Sequence, residues 1–440
     1  MARYYLLGVK GAGVSAMALF LKDLGNEVIG YDDAEEHRFT EDPLHEKNIP
    51  IVYDQSVPLD ADTTIVFSSA LQKTHRELVR AREAGCTIYE YHEMLGILSK
   101  KYDTVCVAGC HGKTTTTAMI SHILTHIDGC NYIIGDGVGH ADPSSEKFIL
   151  EACEFRRHFL AYFPDYAIVT NIGLDHMDYF KDLEDIKDAF ITYANKATKG
   201  CIFCGDDENT RSIRVEKPVL YYGFKHPNND VVAKNIDFRD DGTSFDVYIK
   251  GEFYGHFDLE LFGEHMLENG LAAITVCYLE GYKAEDVNHA LTSFRGAKRR
   301  FKEEFFGTNV LVDDYAHHPT EIAVTIGSAR QKYPGRPVIA IFKAHTFSRV
   351  QDFRQEFIDA LNLADKAFVM DINYDREDPN DYPGISAYTI ISGLNNGDYI
   401  EQGMAEKLLP YENSVILFMS SKEIYLLEEE YKKKKAGAGK

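Results

Sequence analysis

The sequence predicts an α/β protein of three domains, and three observations lead to this prediction. Residues 3–24 and residues 102–119 each have the order apolar strand, glycine turn, helix. A third α/β series follows residue 297, and its polar residues again come directly after apolar strands. We therefore expect a Rossmann-like N-terminal domain at 1–101, a central domain of the P-loop type at 102–296 and a Rossmann-like C-terminal domain at 297–440.

The central strand–loop–helix is predicted to bind the phosphates of a nucleotide. An apolar strand at 105–108 leads into the loop 109–114, Gly-Cys-His-Gly-Lys-Thr, and a helix follows. Backbone N–H groups and the helix N-terminus attract an anion, Lys113 can reach the outer phosphates, and Thr114 can hold Mg²⁺. The full phosphate-loop pattern would have glycine at Val107, so this loop is shorter at its start. This domain is thus predicted to be an ATPase.

Composition and charge exclude several classes of protein. The formal net charge of −22 argues against nucleic acid or an anionic membrane as the main partner. No apolar run approaches the roughly 20 residues that cross a bilayer, and the start of the chain does not resemble a signal peptide. The eight cysteines form no disulfide framework, and Cys201 and Cys204 are expected in a buried strand. We expect a cytoplasmic protein, monomeric or homodimeric, with small molecules as partners.

The first domain is predicted to bind a nucleotide other than a nicotinamide dinucleotide. Its strand, turn and helix at 3–24 begin a βαβ unit, and an acidic pair at 32–33 follows where such folds hold a ribose. The turn glycines stand at 8, 11 and 13, which departs from the G-x-G-x-x-G spacing, so an oxidoreductase is the weaker alternative. Ser68 and Ser69 follow another strand, either as ligand contacts or as ordinary turn residues.

Carboxylates at strand ends beside the phosphate loop predict a metal site. Glu151 ends one apolar strand, and the strand 165–170 leads into a segment that contains His176. Mg²⁺ prefers oxygen ligands, so Thr114 and Glu151 are natural candidates. Imidazole suits Mn²⁺ or Zn²⁺ better, and from the residues alone His176 is more readily a structural histidine.

The remaining sequence predicts antiparallel strands and a third group of polar strand ends. Residues 219–262 alternate and are expected to form antiparallel strands. The basic cluster 298–300 is either an anion site or a solvated charge run. Strands then end in Asp-Asp-Tyr-Ala-His-His-Pro-Thr-Glu at 313–321 and in Lys-Ala-His-Thr-Phe-Ser-Arg at 343–349. The lysines at 432–435 are expected in a solvated end.

Taken together, these motifs resemble those of the Mur ligases, ATP-dependent amide ligases that build the peptide of bacterial peptidoglycan. The resemblance covers essentially the whole chain. It rests on the phosphate loop with its Lys-Thr-Thr-Thr-Thr, on Thr-Asn-Ile at 170–172, on Asp-His-Met-Asp at 175–178, on Gly-x-His at 263–265, on Lys-Arg-Arg-Phe at 298–301 and on the 313–321 run. The 313–321 run is most similar to that of members that add L-alanine to UDP-N-acetylmuramate.

The resemblance implies roles for individual residues. It implies catalytic groups at Lys113, His176, Arg300, His317 and His318. It implies ATP contacts at Gly109, His111, Gly112, Lys113, Thr114, Thr115, Asn269, Arg300 and Asp314. It implies UDP-sugar contacts at Gly11, Gly13, Ser15, Ser68 and Ser69, and amino-acid contacts at Tyr315, His345 and Arg349. It implies Mg²⁺, or Mn²⁺, at Thr114, Glu151 and His176.

The implied reaction joins L-alanine to the carboxylate of UDP-N-acetylmuramate through an acyl phosphate, in the cytoplasmic part of cell-wall synthesis that supports cell shape and division. Three alternatives stay open: a ligase of the same family that attaches a recycled murein peptide, a non-catalytic ATP-binding sensor, and the oxidoreductase above. Either His317 or His318 could accept the amine proton.

The chain also departs from the family pattern. Met266 stands where many relatives have Asn, Thr346 replaces a frequent arginine, and Glu-Ala-Cys-Glu-Phe-Arg at 151–156 replaces the more usual Glu-Ala-Asp-Glu-Ser-Asp. Ile191 falls about where later enzymes of the pathway have a modified lysine, which agrees with the alanine-adding type.

Overall fold

The computed structural model describes residues 2–177, 179–297, 301–373, 377–421 and 424–438. By mutual contacts the chain forms two compact units. The first unit comprises Met1–Ile236, Ser244–Leu259 and Leu267–Phe294, and the second comprises Asp237–Thr243, Glu260–Met266 and Arg295–Lys440. The predicted basic cluster, with Arg300, lies outside the described residues, as does Asp178.

The first sheet has the strand order of a Rossmann-like domain. Its strands are β1 (Arg3–Leu7), β2 (Glu27–Tyr31), β3 (Ile51–Val52), β4 (Thr63–Phe67) and β5 (Thr87–Glu90), and its helices are α1 (Ala12–Asp23), α2 (Glu41–Glu46), α3 (Arg76–Glu83) and α4 (Tyr91–Ser99). All four strand pairs are parallel, in the order β3-β2-β1-β4-β5. The carboxyl ends of β1 and β4 are therefore neighbours at one sheet edge, where ligands of such folds bind.

The central sheet has ten strands within the described residues, in the order β15-β14-β13-β12-β11-β10-β6-β9-β7-β8. Its strands are β6 (Asp103–Ala108), β7 (Asn131–Ile134), β8 (Val138–His140), β9 (Lys147–Glu151), β10 (Tyr166–Val169), β11 (Gly200–Cys204), β12 (Val219–Gly223), β13 (Val231–Arg239), β14 (Gly242–Ile249) and β15 (Glu252–Leu259). Its helices are α5 (Lys113–Ile127), α6 (Leu183–Ala194), α7 (Glu208–Ser212), α8 (Glu264–Leu279) and α9 (Ala284–Leu291), with a 3₁₀ helix at Phe155–Ala161.

Strand β6 is flanked by β9 and β10, and both pairs are parallel. The carboxyl ends of these three strands meet beside the phosphate loop. Cys201 and Cys204 lie buried in β11, as predicted. The prediction of antiparallel strands from residue 219 onward was wrong for β12, which pairs in parallel with both β11 and β13. Alternation of side chains shows that a strand is half-buried but does not set the direction of its partner.

The third sheet lies in the second unit, in the order β16-β17-β21-β18-β19-β20. Its strands are β16 (Lys302–Phe306), β17 (Asn309–Asp314), β18 (Val338–Phe342), β19 (Lys366–Val369), β20 (Gly397–Tyr399) and β21 (Val415–Met419). Its helices are α10 (Pro319–Lys332), α11 (Phe347–Asp352), α12 (Arg354–Leu361), α13 (Ala387–Ile391) and α14 (Tyr425–Ala438), with 3₁₀ helices at Pro379–Asp381 and Ala405–Leu408. The antiparallel edge strand β16 pairs with β17, and the other pairs are parallel.

The expectation of a solvated end at 432–435 was wrong. These lysines lie on α14, where Lys432 pairs with Glu304 at 2.6 Å and Lys435 with Glu412 at 2.6 Å. Leu427 and Tyr431 on the same helix are buried against β21 and its neighbours. The helix is therefore part of the fold, because its apolar side covers one face of the sheet. No helix in the described part of the chain is long and apolar enough to cross a membrane.

Candidate functional site

The phosphate loop connects β6 to α5 and depends on two glycines. Gly109 has φ +143° and Gly112, the N-cap of α5, has φ +82°. A Cβ at Gly109 would lie 2.0 Å from Thr170 Oγ1, and one at Gly112 would lie 2.7 Å from Asn269 Oδ1. Both positions therefore require glycine for backbone conformation and for space. The loop presents the N-terminus of a 15-residue helix, which favours a bound anion.

Lys113 folds back over its own loop. Its Nζ donates to the carbonyl oxygens of Gly109 and Cys110, and to Glu154 Oε1 at 3.0 Å. Burial opposes the charged form, but the neighbouring Glu154 carboxylate raises the pKa of Lys113 above its usual range. The ammonium is thus held charged beside the helix N-terminus, where the outer phosphates of a nucleotide would need neutralisation.

Thr114 and Glu151 of the predicted metal site are in direct contact. Thr114 Oγ1 lies 3.1 Å from Glu151 Oε1, and Glu151 Oε2 accepts from the backbone N–H of Gly135 at 2.7 Å. Burial raises the pKa of Glu151, although Lys113 acts against this. A hydroxyl and a carboxylate at this spacing are the oxygen ligands that Mg²⁺ prefers.

His176, the third predicted ligand, lies with two other acids. Its Nε2 is 3.7 Å from Glu154 Oε1 and 3.9 Å from Asp175 Oδ2. Potential ligand atoms of these three residues lie within 4.8 Å of one another. Glu154 is almost fully buried, and its Oε2 has no hydrogen-bond partner among the described residues. His176 has φ +52°, an uncommon conformation for histidine.

Asn269 lies behind the loop. It is buried, and its Oδ1 accepts from Thr116 Oγ1 at 3.1 Å. The backbone of His111 is fixed by Asn171, which accepts from the His111 N–H and donates to the His111 carbonyl, both at 2.9 Å. Thr115 is buried in the first turn of α5. These contacts hold the loop in shape, so the structure gives Asn269 a supporting position.

The glycine turn of the first domain differs in what surrounds it. A Cβ at Gly13 would lie 2.8 Å from the ring of Tyr91, so no side chain fits there. Gly11 is the N-cap of α1. Ser15 is fully buried and donates to the carbonyl of Thr40 at 3.4 Å. Of the predicted UDP-sugar residues, Ser15 therefore lies beneath the turn rather than at its surface.

The serines after β4 lie at the neighbouring strand end. Ser68 contacts the turn, because a Cβ at Gly8 would lie 3.0 Å from Ser68 Cβ. Its Oγ accepts from the backbone N–H of Ala70 at 3.3 Å, which is ordinary turn chemistry. Ser69 is exposed. The structure thus brings Ser68 to the glycine turn and leaves Ser69 in solvent beside it.

A buried ion pair braces this turn. Lys10 Nζ lies 3.0 Å from Glu41 Oε1, and both side chains are almost completely buried. The backbone N–H of Lys10 donates to Asp32 at 2.9 Å, and Thr40 Oγ1 donates to the Lys10 carbonyl at 2.8 Å. Asp32, one of the two acids expected near a ribose, is thereby used within the protein.

In the second unit the structure brings Tyr315, His317 and His345 together. The ring centroid of His317 is 5.3 Å from that of Tyr315 and 6.1 Å from that of His345. His317 Nδ1 lies 3.1 Å from the Tyr315 carbonyl oxygen and 3.2 Å from Glu321 Oε2. Donation from Nδ1–H to these oxygens puts the lone pair of a neutral imidazole on Nε2.

His318 and Asp314 take part in holding the same segment. His318 is buried at the N-cap of α10, where its Nδ1 accepts from Thr320 N, and its ring centroid lies 5.1 Å from that of Phe353. Asp314 is buried at the end of β17 and accepts from the Phe301 N–H at 2.7 Å. The two adjacent histidines therefore have different surroundings: His317 lies against Tyr315 and His345, whereas His318 caps α10 and packs against Phe353.

Thr346, which departs from the family pattern, begins the helix that contains Arg349. Its Oγ1 accepts from the backbone N–H of Arg349 at 3.4 Å. The carboxylate of Glu377 accepts from Phe347 N at 2.6 Å and Ser348 N at 3.2 Å. Helix α11 is therefore capped both by the hydroxyl of Thr346 and by the carboxylate of Glu377, which is distant in sequence. These caps fix the position of Arg349.

Three family models match consecutive parts of the chain. They are described as Mur ligase family, catalytic domain, at residues 3–103; Mur ligase middle domain, at residues 107–277; and Mur ligase, glutamate ligase domain, at residues 299–421. The chain belongs to the Mur ligase family. It is an ATP-dependent ligase of peptidoglycan synthesis, and the predicted three-domain α/β fold is confirmed.

Solved Mur ligases match over most or all of the chain. UDP-N-acetylmuramate-alanine ligase from Thermotoga maritima is 25% identical with a TM-score of 0.79, and the match covers 100% of both chains. A murein peptide ligase from Psychrobacter arcticus is 20% identical with a TM-score of 0.69, covering 98% of each chain. The MurF ligase from Thermotoga maritima, solved in complex with ADP, is 18% identical with a TM-score of 0.67, covering 88% of this chain and 98% of its own. The latter two similarities show the fold alone.

Sequence reasoning gave no definite role to Glu154, which the structure places beside the phosphate loop, or to Tyr91, which it places beside the first glycine turn. Glu154 contacts both Lys113 and His176, and Tyr91 lies against Gly13. Burial and the nearby Glu151 carboxylate raise the pKa of Tyr91. Glu154 could have been singled out from the sequence, because it is the second acid of the 151–156 motif. Tyr91 follows a predicted strand as one of many tyrosines, so no local pattern singles it out.

Proposed function

We propose that the chain joins L-alanine to the carboxylate of UDP-N-acetylmuramate with conversion of ATP to ADP and phosphate. The observation with most weight is the match to an alanine-adding ligase at 25% identity over the full length of both chains. The phosphate loop, with Lys113 and Thr114 at the N-terminus of α5, supports ATP as the phosphoryl donor.

The proposed reaction has two steps. In the first, a carboxylate oxygen of UDP-N-acetylmuramate attacks the γ-phosphorus of ATP, the bond to the β-γ bridging oxygen breaks, and an acyl phosphate and ADP form. In the second, the amine of L-alanine attacks the acyl carbon, phosphate leaves with the bonding pair, and the nitrogen loses a proton. A carboxylate alone is a poor electrophile because its leaving group would be oxide, and phosphorylation removes this barrier.

The first step brings two anions together and requires charge neutralisation. We assign this to Lys113, whose ammonium is held charged by Glu154 at 3.0 Å. When a nucleotide enters, its phosphate oxygens would replace the loop carbonyls that Lys113 now contacts. Arg300 keeps its predicted role in the same neutralisation, although it lies outside the described residues.

The oxygen atoms around the loop fit a divalent cation. The Thr114–Glu151 contact and the buried, unpaired Oε2 of Glu154 among the described residues offer hard ligands, and His176 Nε2 lies 3.7 Å from Glu154 Oε1. We propose that these residues hold Mg²⁺, or Mn²⁺, which when bound would withdraw charge from the phosphates.

We assign the proton of the second step to His317 rather than to His318. The contact of Nδ1 with the Tyr315 carbonyl puts the basic lone pair on Nε2, and His317 lies with Tyr315 and His345 of the predicted amino-acid site. His318 is buried at a helix cap. Histidine can accept a proton at neutral pH, which suits this role.

The UDP part of the substrate is assigned to the edge of the first sheet. Gly11, Gly13 and Ser68 lie at neighbouring strand ends, and Ser69 is exposed beside them. The N-terminus of α1 follows this turn and suits a diphosphate. Ser15 is left out of the assignment because its hydroxyl is used internally.

An amino-acid panel tests the proposal. Phosphate release is measured with ATP, UDP-N-acetylmuramate and Mg²⁺, with L-alanine, L-serine, glycine or the murein tripeptide as the amine. We expect turnover with L-alanine and little or none with the tripeptide. Turnover with the tripeptide alone would instead assign the chain to peptide recycling, and ATP binding without amine-dependent phosphate release would indicate a sensor. A change in nicotinamide absorbance would favour an oxidoreductase.

A further inference from the structure

A second group of potential metal ligands lies away from the phosphate loop. It consists of Glu90 at the end of β5, His92 in the first turn of α4 and His158 in the 3₁₀ helix Phe155–Ala161. All three belong to the first unit. Their potential ligand atoms lie within 4.8 Å of one another, and each is partly buried.

The two histidine rings are stacked in parallel. Their centroids are 4.2 Å apart with an interplanar angle of 2°. His92 Nδ1 is 3.4 Å from Glu90 Oε1 but is not aligned for a hydrogen bond, and this buried nitrogen has no hydrogen-bond partner within the described part of the chain. A buried imidazole nitrogen without a partner is costly, and a metal ion would satisfy it.

The backbones that hold the two histidines are fixed against each other. A Cβ at Gly96 of α4 would lie 2.4 Å from the carbonyl oxygen of Ala161, so glycine permits a close approach of the helix to the 3₁₀ helix. This approach places His92 of α4 and His158 of the 3₁₀ helix side by side.

We propose that Glu90, His92 and His158 form a binding site for a late first-row divalent cation of the Zn²⁺ type, separate from the oxygen-rich site at Thr114 and Glu151. Two imidazoles and one carboxylate are a recognised zinc ligand set with a fourth position for water. Tetrahedral Zn²⁺ requires ligand atoms about 3.3 Å apart. The ligand atoms already lie within 4.8 Å of one another, but the two rings are parallel, so at least one imidazole has to turn for both nitrogen lone pairs to point at one ion.

A metal at this place would link two parts of the first unit. Glu90 and His92 follow the first sheet, whereas His158 lies four residues after Glu154 of the phosphate site. Zn²⁺ that binds the folded chain would therefore raise its unfolding temperature, and the increase would grow with the logarithm of the free Zn²⁺ concentration above the dissociation constant. Mg²⁺ would not substitute, because imidazole is a poor ligand for it.

The test uses the full chain after removal of metals with a chelator. Zn²⁺ affinity is measured by competition with a chromophoric chelator, and Co²⁺ is added as a spectroscopic probe of nitrogen ligation. All variants in this test carry His176→Ala, so that the Glu154–Asp175–His176 group does not contribute a histidine ligand. We expect one equivalent of Zn²⁺ to bind in this background and the unfolding temperature to rise.

Single replacements then assign the site. His92→Ala or His158→Gln should weaken Zn²⁺ binding by at least about 100-fold. Replacing a residue that only hydrogen-bonds to a metal ligand lowers affinity by up to about 100-fold, and loss of the ligand itself should cost no less. The matched control is His126→Ala, from another histidine pair with centroids 4.2 Å apart, in which His126 Nδ1 bonds the His122 carbonyl. The control should keep full affinity. Absence of saturable binding in the His176→Ala background, or equal affinity in all variants, would overturn the proposal.

Discussion

The glycine turn of the first domain and the phosphate loop of the central domain have the same local design and different surroundings. Each follows a parallel strand, contains glycines and one lysine, and leads into a helix. In the first turn, Lys10 is fully buried against Glu41 and Ser15 points inward. In the phosphate loop, Lys113 is held over the loop carbonyls by Glu154, and Thr114 contacts Glu151.

The difference shows that the elements packed beside a strand–turn–helix determine the role of its lysine. Glu151 ends β9, which pairs with β6, and Glu154 follows three residues later. The first turn instead has Glu41 of α2 directly beside its lysine. Both acids are buried, but the Lys10 side chain is itself completely enclosed, whereas the Lys113 side chain stays 14% exposed beside the helix N-terminus, where a nucleotide phosphate would bind. The predictions below test this distinction.

The largest effect is expected at the phosphate loop. Lys113→Ala should lower phosphate release by roughly a thousandfold, because the developing charge on the phosphoryl group loses its cation. Binding of UDP-N-acetylmuramate, measured by calorimetry, should survive. The control is Lys101→Ala, an exposed lysine that precedes the same strand. Ligation at the wild-type rate by Lys113→Ala would refute the assigned site.

Removing the other lysine should affect folding first. Lys10→Met leaves the Glu41 carboxylate buried without its ion partner, which typically costs about 3 kcal/mol or more. We expect a lower free energy of unfolding in urea, and the comparison is Lys22→Met, which changes a partly exposed lysine of α1. If Lys10→Met is as stable as the wild type while Lys113→Ala unfolds, the two lysines have the opposite roles.

A smaller effect is expected for the partner of Lys113. Glu154→Gln removes a buried carboxylate that contacts Lys113 and His176. The Mg²⁺ concentration for half-maximal activity should rise by roughly tenfold or more, because one hard oxygen ligand loses its charge. The control is Asp188→Asn, an exposed acid paired with Arg157 nearby. An unchanged Mg²⁺ requirement would assign Glu154 to structure alone.

The smallest predicted effect is a pH dependence of stability caused by His158, four residues after Glu154. Burial, His92 and Arg156 lower the pKa of His158 from 6.5 to about 4. Between pH 4 and pH 6.5 the unfolded chain binds more protons at this histidine than the folded chain does. The contribution of neutral His158 to the free energy of unfolding is therefore fully present above about pH 6.5 and is lost as the pH falls toward 4. Because the side chain is partly exposed, we expect a loss of about 1 kcal/mol.

His158→Gln should remove this part of the pH dependence. The measurement is urea unfolding at pH 7 and pH 5 for both proteins, without added metal. Glu90 and His92 also face this position, so His92→Ala serves as the comparison. The same change in stability between the two pH values in wild type and His158→Gln would contradict the assignment.

The local pattern of the sequence determined much of the fold. Strand, turn and helix order predicted β1–α1 and β6–α5 within a residue or two, and it predicted the buried cysteines of β11. The family followed from motifs that span the chain, since each motif lies within a few neighbouring residues. Such short patterns are set by backbone conformation and hydrogen bonding along the chain, which the sequence expresses directly.

Only the tertiary structure decided which of these residues meet. The distance in sequence between Lys113 and Glu154 is 41 residues, and the parallel direction of β12 depends on its partner strands. His317 and His318 are consecutive in the sequence, yet His317 lies with Tyr315 and His318 caps α10. Strand order and side-chain packing determine these contacts, and neither is visible in a short stretch of sequence.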